Sequence, residues 1–332
     1  MPKSPPMTTT PALRRRCLQA LAALVALPTL ALAQDSSKPI EWVVGYAAGG
    51  GSDVVARTVA EPMNKTLGRT IIVNNKPGAA TNIAADYVAK SKDIGNVMFT
   101  ADFATLAANP SLFAKLPYNA EADFTPVGLL ARFPLLLVVP PNVPARNLKE
   151  FTAWTQAQKD GVSCASAGAG SPHHLAMELF RERTGLKLQH VPYRGAAPAV
   201  QDLLGAQIPC GVMDSASVQQ YIASGKLRAL GVASPKRLAV MPEVPTLAEQ
   251  GLAGFEAYAW QGLVVPKATP PQTVAALSKA LQAALDSTMV KARFQTLALE
   301  PLPGTPEQMA AYARSERERW GKLIRDNAIK LD

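Results

Sequence analysis

The feature that most constrains this chain is Glu41-Trp42-Val43-Val44-Gly45-Tyr46-Ala47-Ala48-Gly49-Gly50-Gly51-Ser52-Asp53-Val54-Val55-Ala56-Arg57. A short apolar run predicts a buried strand, and three consecutive glycines open a turn. Ser52 or Asp53 is placed to cap the helix that follows. Where side chains are missing from the turn, N–H groups and the positive end of a helix can face an anion. Contiguous glycines are not the dinucleotide fingerprint, and the Lys-Ser/Thr of a phosphate loop is missing. Alone, the segment describes a plain strand-to-helix connection equally well.

The same unit recurs along the chain. A strand Thr70 to Asn74 leads through Pro77-Gly78-Ala79-Ala80-Thr81-Asn82 into a helix with Ile83, Tyr87 and Val88 on one face. Asn96 to Thr100, Val127 to Leu130 and Leu135 to Val139 read as strands. After Pro140-Pro141-Asn142-Val143-Pro144, a candidate linker, Ser163 to Ser166 runs into Ala167-Gly168-Ala169-Gly170-Ser171-Pro172 and a helix. Leu188 to Val191 runs into Tyr193-Arg194-Gly195, and Ile208 to Met213 into Asp214-Ser215, each followed by a helix. Such alternation predicts an α/β fold with parallel strands and helical crossovers, whose ligands sit at strand carboxyl ends. Tyr258 to Val265 reads as a strand returning to the first lobe, and Pro306 to Ala328 as a long amphipathic helix with a solvated charged face.

Residues 1–33 have the form of a cleavable signal peptide: a basic start (Lys3, Arg14, Arg15, Arg16), an apolar core and Ala31-Leu32-Ala33 before Gln34. A twin-arginine route is faintly suggested by Arg15-Arg16, with the general secretory route as the default. Cleavage leaves 299 residues and lowers the formal charge from +9 to +5, with no basic runs interleaved with aromatics, which argues against nucleic acid. Export permits a disulfide between Cys164 and Cys210, but neighbouring central strands suit a bridge poorly, so two buried free thiols are expected.

The candidate chemistry is thin. Ser171 and His174 raise a secreted Ser/His hydrolase, although their spacing is too close for a nucleophile elbow and Ser171 reads more naturally as a helix cap. His173, His174 and His190 are the only histidines and show no metal-ligand spacing. Asp53, Asp102 and Asp214 each follow an apolar strand, where capping explains most aspartates. Tyr46 and Tyr193 beside glycine-rich turns could meet a ligand or pack internally.

Taken together the turns resemble the tripartite tricarboxylate transporter substrate-binding proteins, also called the Bug family. The resemblance rests on Val43 to Asp53, Asn74 to Ala85, Leu106 to Phe113, Lys115 to Tyr118, Ala165 to Ser171, His174 to Ala176, His190 to Ala199, Pro242 to Thr246 and Trp320 to Ile324. It implies a type II periplasmic binding protein fold: two α/β lobes, residues 39–139 plus 258–332 and residues 140–257, with a ligand cleft between them. It implies a periplasmic receptor that captures a small carboxylate solute and delivers it to membrane subunits of a tripartite tricarboxylate-type transporter, without catalysis, cofactor or metal. A monomer is expected. The matching ligand positions are Tyr46, Ala47, Ala48, Gly49, Ser52, Asp53, Ala79, Ala80, Thr81 and Asn82 of lobe 1, and Ser166, Ala167, Gly168, Ser171, His174, Tyr193 and Asp214 of lobe 2.

The chain departs from the family where Gly78-Ala79-Ala80-Thr81-Asn82 replaces the usual Gly-Ala-Gly-Gly-Asn, narrowing the pocket. Asp102 stands where relatives tend to have small uncharged residues; directed into the cleft, it makes a purely dianionic ligand less comfortable. The ligand itself stays open among tricarboxylates, dicarboxylates, aromatic carboxylates and amino acids. Alternatives are the Ser171/His174 hydrolase, a dinucleotide enzyme using Gly49 to Gly51, and presentation of ligand to a membrane sensor.

Overall fold

A computed structural model describes residues 1–2 and 38–331, so the expected signal peptide lies, beyond its first two residues, outside the described residues. The strands are β1 (Ile40–Val44), β2 (Ile71–Asn75), β3 (Val97–Asp102), β4 (Phe124–Val139), β5 (Val162–Ser166), β6 (Leu188–Pro192), β7 (Cys210–Asp214), β8 (Arg228–Val232), β9 (Tyr258–Pro266) and β10 (Glu300–Pro301). The helices are α1 (Gly51–Leu67), α2 (Asn82–Ala89), α3 (Asn109–Leu112), α4 (Leu148–Gln156), α5 (Pro172–Thr184), α6 (Ala196–Leu204), α7 (Ser215–Ala223), α8 (Pro271–Asp286), α9 (Thr288–Thr296) and α10 (Pro306–Asp326). A π-helical turn, Ala104–Ala108, leads into α3. No helix of the described residues is long and apolar enough to cross a membrane.

The strands follow the order β2-β1-β3-β9-β4-β7-β5-β6, with β10 and β8 also pairing with β4. Two parallel groups, β2-β1-β3 and β6-β5-β7, flank the antiparallel centre formed by β9 and β4. Alternation along β1 sends Trp42 and Val44 into one apolar cluster, with α1, α8 and α9, and Val43 into another, with α2 and α10. Helices therefore cover both faces, which is why these strands are nearly continuous apolar runs.

Strand β4 directs the molecule. The sequence suggested two strands, Val127 to Leu130 and Leu135 to Val139, but the chain runs unbroken over 16 residues. Its first part pairs with β9 as far as Pro134, and Leu135 begins the pairing with β7. Pro134 is tolerated because the ladder changes partner there, where a missing N–H costs least. The candidate linker after Pro140 therefore lies beyond the change of partner; Arg228 holds its Val143 and Ala145 carbonyls.

One further expectation is corrected and another is met. In α2 the buried face is Ala84, Ala85 and Val88, whereas Ile83 and Tyr87 point outward, 52% and 41% exposed. The helix start, not apolarity, sets that phase. Cys164 and Cys210 are register partners on β5 and β7, both buried and both free thiols, as expected; burial pushes the Cys210 thiol well up.

Candidate functional site

Register shows why the glycine-rich turns meet. Asp102, at the end of β3, pairs with Gln261 of β9, and Gln261 pairs with Ala131 of β4. Asp214, at the end of β7, pairs with Leu135 of β4. Strands β1 to β3 run in the direction of β4, and β5 to β8 run against it. The carboxyl ends of both groups thus converge on residues 131 to 135, about 13 Å of strand. The loops after β1, β2 and β3 face those after β5, β6 and β7 across this short span.

The first loop is open. Ala47, Ala48, Gly49 and Gly50 are exposed, and Gly49 has φ +81°, a left-handed conformation that favours glycine. Neither Ser52 nor Asp53 caps α1: the N-cap is Gly50, with no side-chain acceptor. Gln261 Nε2 instead donates to buried Ser52 Oγ. Asp53 reaches back to accept the Gly49 N–H at 2.9 Å and pairs with Arg57 at 3.0 Å. Burial works to raise its carboxyl, but Arg57 and the Gly49 N–H hold it below the usual range.

The second loop is strained. Ala79, Ala80 and Thr81 have φ of +47°, +50° and +73°, three successive non-glycine residues in the left-handed region. They persist because neighbours hold them. Asn109 Nδ2 donates to the Ala80 carbonyl at 2.7 Å and to Asn82 Oδ1 at 2.8 Å. Thr81 Oγ1 bonds Thr105 Oγ1 at 2.8 Å. Like α1, α2 starts without a side-chain cap. Ala79 is exposed, Ala80 half-buried, and Thr81 and Asn82 buried.

Asp102 ties these loops together. It accepts the Thr105 N–H at 3.0 Å, the Thr105 hydroxyl at 2.9 Å and the Tyr46 hydroxyl. Burial raises the Asp102 carboxyl, against the pull of those bonds. Burial and the Asp102 charge push the Tyr46 phenol well up. A polar chain Tyr46–Asp102–Thr105–Thr81 thus spans the ends of β1, β2 and β3.

The facing loops use their side chains differently. Ser171 caps α5, accepting the His174 N–H at 3.3 Å and donating to the Gly168 carbonyl at 2.7 Å. His174 Nδ1 accepts the Gly170 N–H at 3.0 Å, and its Nε2 lies 3.5 Å from Glu178. Neither ring nitrogen is bonded to Ser171, so the nucleophile–base pair of a hydrolase is not formed. His190 stacks on His174 at 3.8 Å and bonds buried Ser166 at 2.6 Å. The Ser166 hydroxyl also contacts Gly168 at 3.1 Å, and the Ala167 carbonyl takes the Gly195 N–H at 3.0 Å. Tyr193 donates to Asp202 at 2.7 Å. Asp214 caps α7 through Ser217 and faces His173 at 3.2 Å; burial opposes its ionisation, but His173 and Ser217 keep its carboxyl low. Helix α6, starting at Gly195, lacks a side-chain cap.

At the converging strand ends, then, α1, α2 and α6 present N-termini that no side chain caps, while α5 and α7 are capped by Ser171 and Asp214. Uncapped N-termini attract anions. Sequence reading missed Gln261, Thr105, Asn109 and His190 as builders of this region. The signal for two of them was a lone amide in an apolar run: Gln261 within β9 and Asn109 after Leu106-Ala107-Ala108.

Residues 55–329 match the TctC family, described as the tripartite tricarboxylate transporter family receptor. The chain belongs to this family. Protein BugT of Bordetella pertussis is similar to this chain, 34% identical over 296 residues, 89% of this chain and 91% of BugT. Among solved structures, the periplasmic binding protein BugD is similar with a TM-score of 0.81 and 35% identity, covering 88% of this chain and 99% of BugD. R. palustris Rpa4515 with adipate is similar with a TM-score of 0.84 and 29% identity, over 88% and 98% of the two chains. The TctC fold of this chain is accordingly that of a periplasmic binding protein, two α/β lobes about a cleft, and its relatives are solute-binding receptors rather than enzymes.

Proposed function

We propose that this protein is a periplasmic receptor that holds a small carboxylate solute between residues 39–139 plus 258–332 and residues 140–257, and delivers it to a tripartite tricarboxylate-type transporter. The observation that carries the reading is the set of uncapped helix N-termini at α1, α2 and α6 on opposite sides of the span 131–135. A carboxylate set against such N–H groups completes the bonds that a helix leaves open. Tyr46, Ala47, Ala48, Gly49, Ala79, Ala80, Thr81 and Asn82 shape the first side. Ser166, Ala167, Gly168, Ser171, His174, Tyr193 and Asp214 shape the second, chiefly by fixing loop backbone. Ser52, Asp53 and Asp102 support the first side from below. Adipate in the Rpa4515 structure supports a carboxylated solute. Only a ligand that binds the closed form better than the open one can close it, and contacts from both sides supply that difference.

The test is a melting-temperature screen of the mature protein against mono-, di- and tricarboxylates. At a hundredfold excess over Kd a cognate acid adds about 2.7 kcal/mol of stability, a clear upward shift. If no carboxylate raised the melting point while neutral solutes did, the reading would be wrong. Loss of uptake of that acid on deleting the gene would carry the delivery step.

A further inference from the structure

The first side of the cleft holds a buried acceptor, Gln261 Oε1, without a partner among the described residues, beside a buried carboxyl that no cation meets. Asp102 is 4% exposed, and its contacts are three neutral donors: the Tyr46 hydroxyl and the Thr105 N–H and hydroxyl. Thr105 fills Oδ1 with two donors and Tyr46 engages Oδ2, which keeps room to accept one further donor. Among the described residues no Lys, Arg or His forms an ion pair with it. A buried carboxylate without a cation is costly.

Its register partner shows the same deficit independently. Asp102 and Gln261 face each other across β3 and β9, so their side chains stand side by side on one face, Cβ atoms about 5 Å apart. Gln261 is 5% exposed; its amide nitrogen is spent on Ser52, and its Oε1, fully buried, has no hydrogen-bond partner. Buried polar atoms are nearly always paired, so an orphaned acceptor beside an uncompensated carboxylate marks a place for a donor. Tyr46 Oη, having donated to Asp102, can still accept. Both Ser52 and Tyr46 flank the exposed turn Ala47 to Gly50, where α1 begins uncapped.

We propose that Asp102, Gln261 and Tyr46 form a subsite for an ammonium group, and that the solute is a 2-aminocarboxylate whose carboxylate lies on the α1 turn. An ammonium carries three donors and one positive charge, matching three acceptors and the unpaired charge. A hydroxyl would supply a donor and leave the charge uncompensated. The inference rests on the carboxylate-receptor reading above and specifies its ligand class.

Calorimetric titration of ligand-stripped mature protein with matched pairs tests it: succinate and aspartate, glutarate and glutamate, adipate and 2-aminoadipate, with 2-hydroxyglutarate as a neutral-donor control. One amino acid is expected to bind roughly ten- to hundredfold tighter than its unsubstituted partner. Asp102→Asn should remove most of that preference. Gln261→Met, which introduces no charge change, should weaken it, with melting curves confirming that both variants fold. A plain or hydroxy acid binding as tightly as its amino counterpart overturns the proposal and leaves the carboxylate reading standing; so does a preference that survives in Asp102→Asn. Binding of none of these acids, with or without the amino group, overturns both.

Discussion

At the scale of single residues, position decides what each polar group can do. Ser171 and Asp214 hold hydroxyl or carboxylate oxygens at helix starts and spend them on their own backbone, so their contribution to a ligand is the loop shape they enforce. His190 is one residue whose state responds to pH. Burial, then the charge of His174 stacked on it, lowers its pKa to about 4, against about 6.5 in an unfolded chain. As pH falls, the unfolded state takes up this proton first. The stability is therefore fully present above about pH 6.5 and is lost as pH drops toward 4. Urea melts across that window should show the decline in wild type and a flatter profile in His190→Gln. An unchanged slope would mean that other groups carry it.

At the scale of elements, the three turns of the first side behave as one unit. A Cβ at Gly45 would lie 3.0 Å from both Cβ and Cγ2 of Thr81, so the first and second loops touch through a missing side chain. Gly45→Ala should cost about 1–3 kcal/mol by overpacking and should weaken ligand binding. In a Thr81→Gly background, which removes both contact atoms and relieves a left-handed φ of +73°, that cost should shrink to a few tenths. A double-mutant cycle by denaturant melts with no coupling would contradict this contact. Much of this layer was legible beforehand, because apolar runs and glycine turns report local needs. The strand–turn–helix units, the capping role of Ser171 and the free thiols all followed from residue types. What was not legible depended on partners distant in sequence. The unity of β4 through Pro134 needs the change from β9 to β7. The left-handed run Ala79 to Thr81 needs Asn109 and Thr105 to hold it. The outward face of α2 needs the helix start, which no cap residue marks. Likewise α9, a short helix with its own Ser287 cap, lacks the apolar spacing that identified α8.

At the scale of the whole molecule, two parallel strand groups of opposite direction are joined through the β9–β4 pair, one on β9 and the other on β4, and this places their carboxyl ends face to face over residues 131–135. Among the described residues α4, α5, α7, α9 and α10 carry side-chain caps, whereas α3 and α8 do not, and neither do α1, α2 and α6 around this space. Recognition of a carboxylate by those N–H groups is the central claim, and removing the ligand's charge tests it most directly. Titration calorimetry of the mature protein with its best carboxylate and with the methyl ester of that acid isolates the interaction. The account predicts one-to-one binding of the acid, weakened roughly ten- to hundredfold by esterification, the worth of a charge-assisted hydrogen bond. Equal affinity for acid and ester would contradict it.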